Sequence, residues 1–140
     1  MSESISLRVK SDRAQLGEVI EAVKGMAERE EWAPDFSYRV HLALEELVLN
    51  VMDYGYDDNT QDIEINVTSD SDAITIEIVD SGKPFDPLSD APEPDLEAAV
   101  EERRIGGLGV HLVKTLMDQM DYKRENDQNH LTIVARRNPE

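Results

Sequence analysis

Two short runs of isoleucine and valine set the frame for this chain. Ile63, Ile65 and Val67 alternate with polar residues, and Ile74, Ile76 and Ile78 do the same a few residues later, with Ser69 to Asp72 between them. A period of two places the apolar side chains of each run on one face of a strand. The two runs therefore predict a β-hairpin with one buried face.

Around that hairpin the period changes. Ile5, Leu7 and Val9 alternate and predict an opening strand. Asp12, with Gln15 three residues on, can cap a helix start, and Leu16, Val19, Ile20 and Val23 then recur at helical spacing, predicting a helix to about Glu30. Pro34 breaks it, and Asp35 can cap the next helix. In that second helix Val40, Leu44, Leu47, Val48 and Val51 form one stripe, while Arg39, Glu46, Asn50 and Asp53 share a polar face. From Ser81 to about Asp95 the chain carries four of its six prolines, so a long irregular segment is expected, of the kind that often serves as a lid. Arg103 and Arg104 lead into Gly106-Gly107-Leu108-Gly109, and Val110, Leu112, Val113, Leu116 and Met117 follow at helical spacing, which puts the glycines at a helix N-terminus. Met120 and Tyr122, then Leu131 and Ile133, flank a turn over Asn126 to Asn129 and predict a second hairpin. This order is not the βαβ alternation of a doubly wound parallel sheet, and a two-layer α+β sandwich in one domain, residues 1–140, fits it better.

Composition narrows the function. The net charge of -17 repels nucleic acid and anionic lipid, so neither is an expected partner. A nucleotide remains admissible where a divalent cation or backbone N–H groups offset that field. The chain has no cysteine, which removes disulfides, iron–sulfur clusters and thiolate zinc sites together and suits a reducing compartment. No signal peptide or membrane span is expected, and a cytoplasmic location follows as the expectation. His41, His111 and His130 are scattered and lack a second ligand at metal spacing.

Three features could carry chemistry. Glu46 and Asn50 are four residues apart on one helix, so a proton acceptor and a neutral oxygen suited to Mg²⁺ stand one above the other. Taken alone, the pair also fits a solvated polar stripe. Asp80 continues the alternation of Ile74, Ile76 and Ile78 and so points to the same, buried face, where the amino group of a purine would be a suitable donor. Asp80-Ser81-Gly82 also fits ordinary turn chemistry. Gly106, Gly107 and Gly109 would let backbone approach phosphates at a helix start, and could equally form a hinge.

In this order, Leu42-Ala43-Leu44-Glu45-Glu46-Leu47-Val48-Leu49-Asn50, then Asp80-Ser81-Gly82-Lys83-Pro84-Phe85-Asp86, then Gly106-Gly107-Leu108-Gly109-Val110 resembles the N, G1 and G2 boxes of the GHKL ATPase superfamily. Within it the sequence is similar to the small anti-sigma factor serine kinases of bacterial partner-switching systems, over nearly the whole chain. The resemblance implies the Bergerat-type sandwich, with a mixed, mostly antiparallel sheet covered on one face by helices. It implies ATP and Mg²⁺ as ligands, with Asn50 on the metal and Glu46 as general base toward a partner's hydroxyl. Asp80 and Gly82 would read the adenine, and Arg104, Gly106, Gly107, Leu108 and Gly109 would contact the phosphates under a lid of about residues 84–105. The fuller glycine box of the family often opens with a glycine where Ile105 stands.

The function so implied is a protein serine/threonine kinase that phosphorylates a STAS-domain anti-anti-sigma protein and controls a sigma factor by partner switching. A homodimer is a state the resemblance admits. The alternative is a non-catalytic ATP-binding module that acts by sequestration alone. The catalytic half of a sensor histidine kinase fits less well, because no helical phosphoacceptor segment accompanies it.

Overall fold

Both alternating isoleucine runs lie near the centre of one sheet. The computed structural model describes residues 3–54, 62–82, 113 and 116–137, and the side chains of residues 13, 50, 53 and 54 lie outside that description. The strands are β1 (Glu3–Lys10), β2 (Asp62–Ser69), β3 (Ala73–Asp80), β4 (Gln119–Glu125) and β5 (Gln128–Arg136). They form a five-stranded sheet in the order β1-β2-β3-β5-β4, so β1 and β4 are its edges. Every pairing among them is antiparallel, and the parallel component implied by the resemblance does not occur among the described residues.

Register sorts the side chains onto two faces. Leu7, Ile65, Ile78, Leu131 and Tyr122 stand in one row across the sheet, and Ile5, Val67, Ile76, Ile133 and Met120 in the next. Ile65, Ile76, Ile78 and Ile133 in these rows are almost wholly buried. Each such isoleucine contributes roughly 1.5–3 kcal/mol over leaving it exposed. The opposite face is polar: Arg8, Glu64, Val79, His130 and Lys123 share a row, and Ser6, Asn66, Glu77, Thr132 and Asp121 the next. There Arg8 pairs with Glu64 at 3.2 Å and Lys10 with Asp62 at 2.8 Å.

Helices α1 (Leu16–Arg29) and α2 (Pro34–Tyr54) cover the apolar face. Val19, Val23 and Met26 of α1 and Val40, Leu44, Leu47 and Val48 of α2 join the strand residues in one core. Asp12 opens a single 3-10 turn over Arg13–Gln15, its carboxylate accepting from the Ala14 N–H at 2.9 Å, but α1 itself starts at Leu16 with Gln15 as an N-cap that makes no side-chain cap bond, and Gln15 Oε1 accepts from the Lys10 N–H instead of reaching back to Asp12. Helix α1 ends before the proline is reached. Glu31 takes φ 53°, Trp32 N–H donates to the Ala27 carbonyl at 3.0 Å and Glu31 N–H to Glu28 at 3.3 Å, a left-handed termination that needs no proline. Pro34 is the first residue of α2, and Asp35 sits in the first turn rather than capping it, because Ala33 supplies the carbonyl that accepts from Ser37 N–H. The polar-face residue Arg39 is not merely solvated. Its guanidinium donates to the carbonyls of Leu116 and Arg136, tying α2 to the far end of the chain.

Of the third expected helix, Val113 and Leu116 are helical and Val113 is fully buried; the rest of its expected stripe up to Leu116 lies outside the described residues. The last hairpin closes on a tighter turn than expected. Glu125 pairs with Gln128, and only Asn126 and Asp127 form the turn, with φ 54° and 61°. Two consecutive left-handed residues match the sheet's twist.

Candidate functional site

Asp80 is the last residue of β3, in a row with Val9, Ile63, Asn129 and Arg124 that belongs to the helix-covered face. It is only 4% exposed. A carboxylate so placed is costly unless donors meet it. Its Oδ1 accepts from the Gly82 N–H at 2.9 Å and from Asn129 Nδ2 at 3.0 Å. Gly82 is itself buried, and its carbonyl accepts from an Arg124 N–H at 2.8 Å. Asn129 in turn accepts the Tyr122 hydroxyl at its Oδ1. Asp80-Ser81-Gly82 is thus a turn at a strand end, but one whose acid is held inward by the neighbouring hairpin.

Glu46 lies on α2 between core residues Leu44, Leu47 and Val48 and is half-buried. Burial pushes its carboxyl above the ordinary carboxylate value, and the neighbouring charge of Glu45 adds to the effect. Glu45 is itself engaged with His41 Nε2 at 3.3 Å. Asn50 follows on the next turn of α2, about 6 Å further along the axis, and its side chain lies outside the described residues. The remaining sequence candidates, Arg104, Gly106, Gly107, Leu108 and Gly109, with the segment 84–105, also lie outside them.

The described residues thus hold two site pieces: an inward acid with a buried glycine beside it, and a carboxyl of raised basicity. The first suits the amino edge of a base, which donates where a carboxylate accepts. The second suits a proton acceptor. Among the described residues no group of three or more His, Cys, Asp or Glu could hold a metal.

A cavity of about 390 Å³ among Arg8, Glu64, Glu77 and His130 reaches Asp80 and Ser81 at its end. It opens on the polar face, whereas the Asp80 side chain belongs to the helix-covered one, so this cavity is not the site just described.

Sequence reasoning missed Asn129, Tyr122 and Arg124. Asn129 was assigned to the turn, although its alternation with Leu131, Ile133 and Ala135 already pointed it inward.

The sequence pattern of the histidine kinase-like ATPase domain matches residues 9–135. The chain belongs to this family. Among curated relatives it is similar to the serine/threonine-protein kinase BtrW of Bordetella bronchiseptica, 24% identical over 82% of this chain and 81% of that protein. It is also similar to the serine-protein kinase RsbW of Halalkalibacterium halodurans, 28% identical over 89% of this chain and 78% of that one. An anti-sigma F factor of Thermoanaerobacter is 30% identical over 59% of this chain and 57% of the relative. Among solved structures, the RsbU and RsbW domains of a Mycobacterium tuberculosis protein match with a TM-score of 0.67 at 10% identity, over 96% of this chain and 32% of that one. The histidine kinase AdeS of Acinetobacter baumannii matches with a TM-score of 0.53 at 16% identity, over 96% of this chain and 68% of that one. These likenesses show the histidine kinase-like ATPase fold, with its antiparallel sheet and covering helices. No described helix is long and apolar enough to cross a membrane.

Proposed function

We propose that this chain is an ATP-dependent protein serine/threonine kinase of the anti-sigma type, acting in the cytoplasm on a STAS-domain protein and, through it, on a sigma factor. The observation that carries the reading is the inward carboxylate of Asp80, 4% exposed, beside a buried Gly82. Its support from similarity is that relatives alike over most of their length are named serine kinases.

Asp80 accepts from the amino group of adenine, and Gly82 lets backbone come close to the ring. Asn50 would offer its carboxamide oxygen to Mg²⁺, and Arg104, Gly106, Gly107, Leu108 and Gly109 would hold the phosphates. When bound, Mg-ATP supplies the phosphoryl group and offsets much of its own charge. Glu46 takes the proton of the acceptor serine or threonine hydroxyl as that oxygen attacks the γ-phosphorus and ADP departs. A carboxyl raised above its ordinary value is the better proton acceptor for this step. Product release follows from charge. A phosphorylated partner gains about two negative charges and meets a chain of net charge -17, which weakens the complex and frees this surface for the sigma factor.

The test uses labelled ATP, the purified chain and STAS-domain proteins from the same genome. The unaltered chain should label a serine or threonine, and Glu46→Gln should bind ATP but transfer nothing. Persistent transfer by Glu46→Gln removes Glu46 as the base. ATP binding without transfer by the unaltered chain points to a module that regulates by sequestration.

A further inference from the structure

The terminal hairpin does more than complete the sheet. Asn129 stands directly opposite Asp80 in the β3–β5 register and is equally buried, at 4% exposure. Its Nδ2 donates to Asp80 Oδ1 at 3.0 Å, and its Oδ1 accepts from the Tyr122 hydroxyl. An asparagine amide can be turned over with little change of shape, so its orientation is set by its partners. Turned over, Asn129 would present its oxygen to an ionised carboxylate that can only accept, which sets two acceptors face to face. The Tyr122 hydroxyl favours the observed orientation from the other side, by giving Oδ1 a donor. Arg124, on the same hairpin, holds the Gly82 carbonyl at 2.8 Å, and Gly82 N–H is the second donor to Asp80 Oδ1. Three side chains of one hairpin therefore fix both the acid and the turn that follows it.

We infer that Asn129 and Tyr122 are positioning residues for nucleobase selection, which lock the Asp80 carboxylate in the orientation that accepts an exocyclic amino group. The inference rests on the proposal that Asp80 reads adenine. It adds that preference for a 6-amino purine over a 6-oxo purine depends on a relay from β4 through β5 to β3. Asp80 released from that relay can rotate and take water in place of the base, and the distinction between an amino and a carbonyl group at that edge fades. Buried donors to a charged group act over short distances and with strict direction, so loss of either link is felt at the acid.

The experiment measures binding of ATP and of ITP, which carries a carbonyl where ATP has the amino group, to the full chain by calorimetry. Variants are Tyr122→Phe, Asn129→Ala and Asn129→Ser, the last keeping a donor toward Asp80. The ratio of ATP to ITP affinity should fall roughly tenfold in Asn129→Ala, less in Tyr122→Phe, and recover in part in Asn129→Ser. A purely structural role would weaken both nucleotides alike and leave the ratio unchanged; that result in the folded Tyr122→Phe and Asn129→Ser proteins, with Asn129→Ser no closer to the parent than Asn129→Ala, overturns the inference while leaving the nucleotide site standing. Failure of the unaltered chain to bind ATP removes both.

Discussion

Trp32 donates its indole N–H to the hydroxyl of Ser69 at 3.4 Å, joining the link between α1 and α2 to the end of β2. Ser69 is fully buried and passes the contact on, donating to Glu30 Oε1 at 3.1 Å. Arg137 closes the cluster, reaching the Glu30 carboxylate at 3.6 Å, the Glu30 carbonyl at 2.8 Å and the Asp70 carbonyl at 2.8 Å. Three chain segments meet at this corner, and Ser69 pairs with Ile74, six residues before Asp80 on β3. At strand rise the corner is about 20 Å from the candidate site.

Ser69→Ala leaves the Trp32 and Glu30 groups short of a partner in a buried setting, which costs about 1–2 kcal/mol. The urea midpoint should drop accordingly. Because the corner and Asp80 lie at opposite ends of β3, nucleotide affinity of the folded variant should match that of the parent, and a parallel loss of affinity would count against that separation.

The proposed role of Glu46 predicts how transfer should respond to pH. With Glu46 as the base its ionised form would be the active one, and because its carboxyl lies above the ordinary value, chiefly through burial and secondarily through Glu45, the acidic limb of the rate profile should fall at higher pH than for an ordinary glutamate. Glu45→Gln removes the secondary cause and should move that limb to lower pH, without abolishing the displacement that burial produces. A limb that stays in place would mean another group governs it.

The same residue should oppose stability near neutral pH. A carboxyl raised in the folded state favours folding below its unfolded value near 4.5, and that advantage is lost as pH rises through the folded value. Glu46→Gln should therefore unfold later than the parent at pH 7. The difference should vanish in melts run below pH 4.5.

Asp80→Asn keeps the size of the side chain and can still accept from Gly82, but it removes the charge that strengthens the bond to an amino group. With Asp80 reading adenine as proposed, loss of one charge-assisted bond should lower ATP affinity by roughly 10- to 100-fold. The fold should survive, as circular dichroism would report. Unchanged ATP affinity would place the adenine elsewhere.

Glu31 and Asp127 are left-handed without being glycine, at φ 53° and 61°. Each conformation carries a penalty for a residue with Cβ, of about 1 kcal/mol. Glu31→Gly and Asp127→Gly should each raise the denaturation midpoint, by up to about 1 kcal/mol in stability, and a loss in either case would mean that its side chain makes a contact worth more than the strain.

The strand faces were readable because strict alternation leaves little freedom: Ile74, Ile76 and Ile78 determine where Asp80 points, and the structure buries it there. Helix α2 was readable from its broad stripe, whereas Glu46, expected on the polar face, is half-buried beside Leu47 and Val48. Boundaries were harder. Asn129 was grouped with Asn126 and Asp127 because all three are turn formers by type, yet pairing with Asp80 draws it into β5. Local propensity carries no information about a partner 49 residues away. The end of α1 was attributed to Pro34, whereas backbone geometry at Glu31 ends the helix first. Arg39 looked like one more residue of a solvated face, and only the folded chain brings the Leu116 and Arg136 carbonyls within its reach.

The outermost strands carry Arg8 and Lys10 at one edge of the sheet and Asp121, Lys123 and Glu125 at the other. An incoming strand that tried to add to either margin would have to strip water from these groups, and from ion pairs that already tie β1 to β2. Ribbon-like self-association is thereby discouraged even at high concentration, and a chain rich in isoleucine strands can stay dispersed.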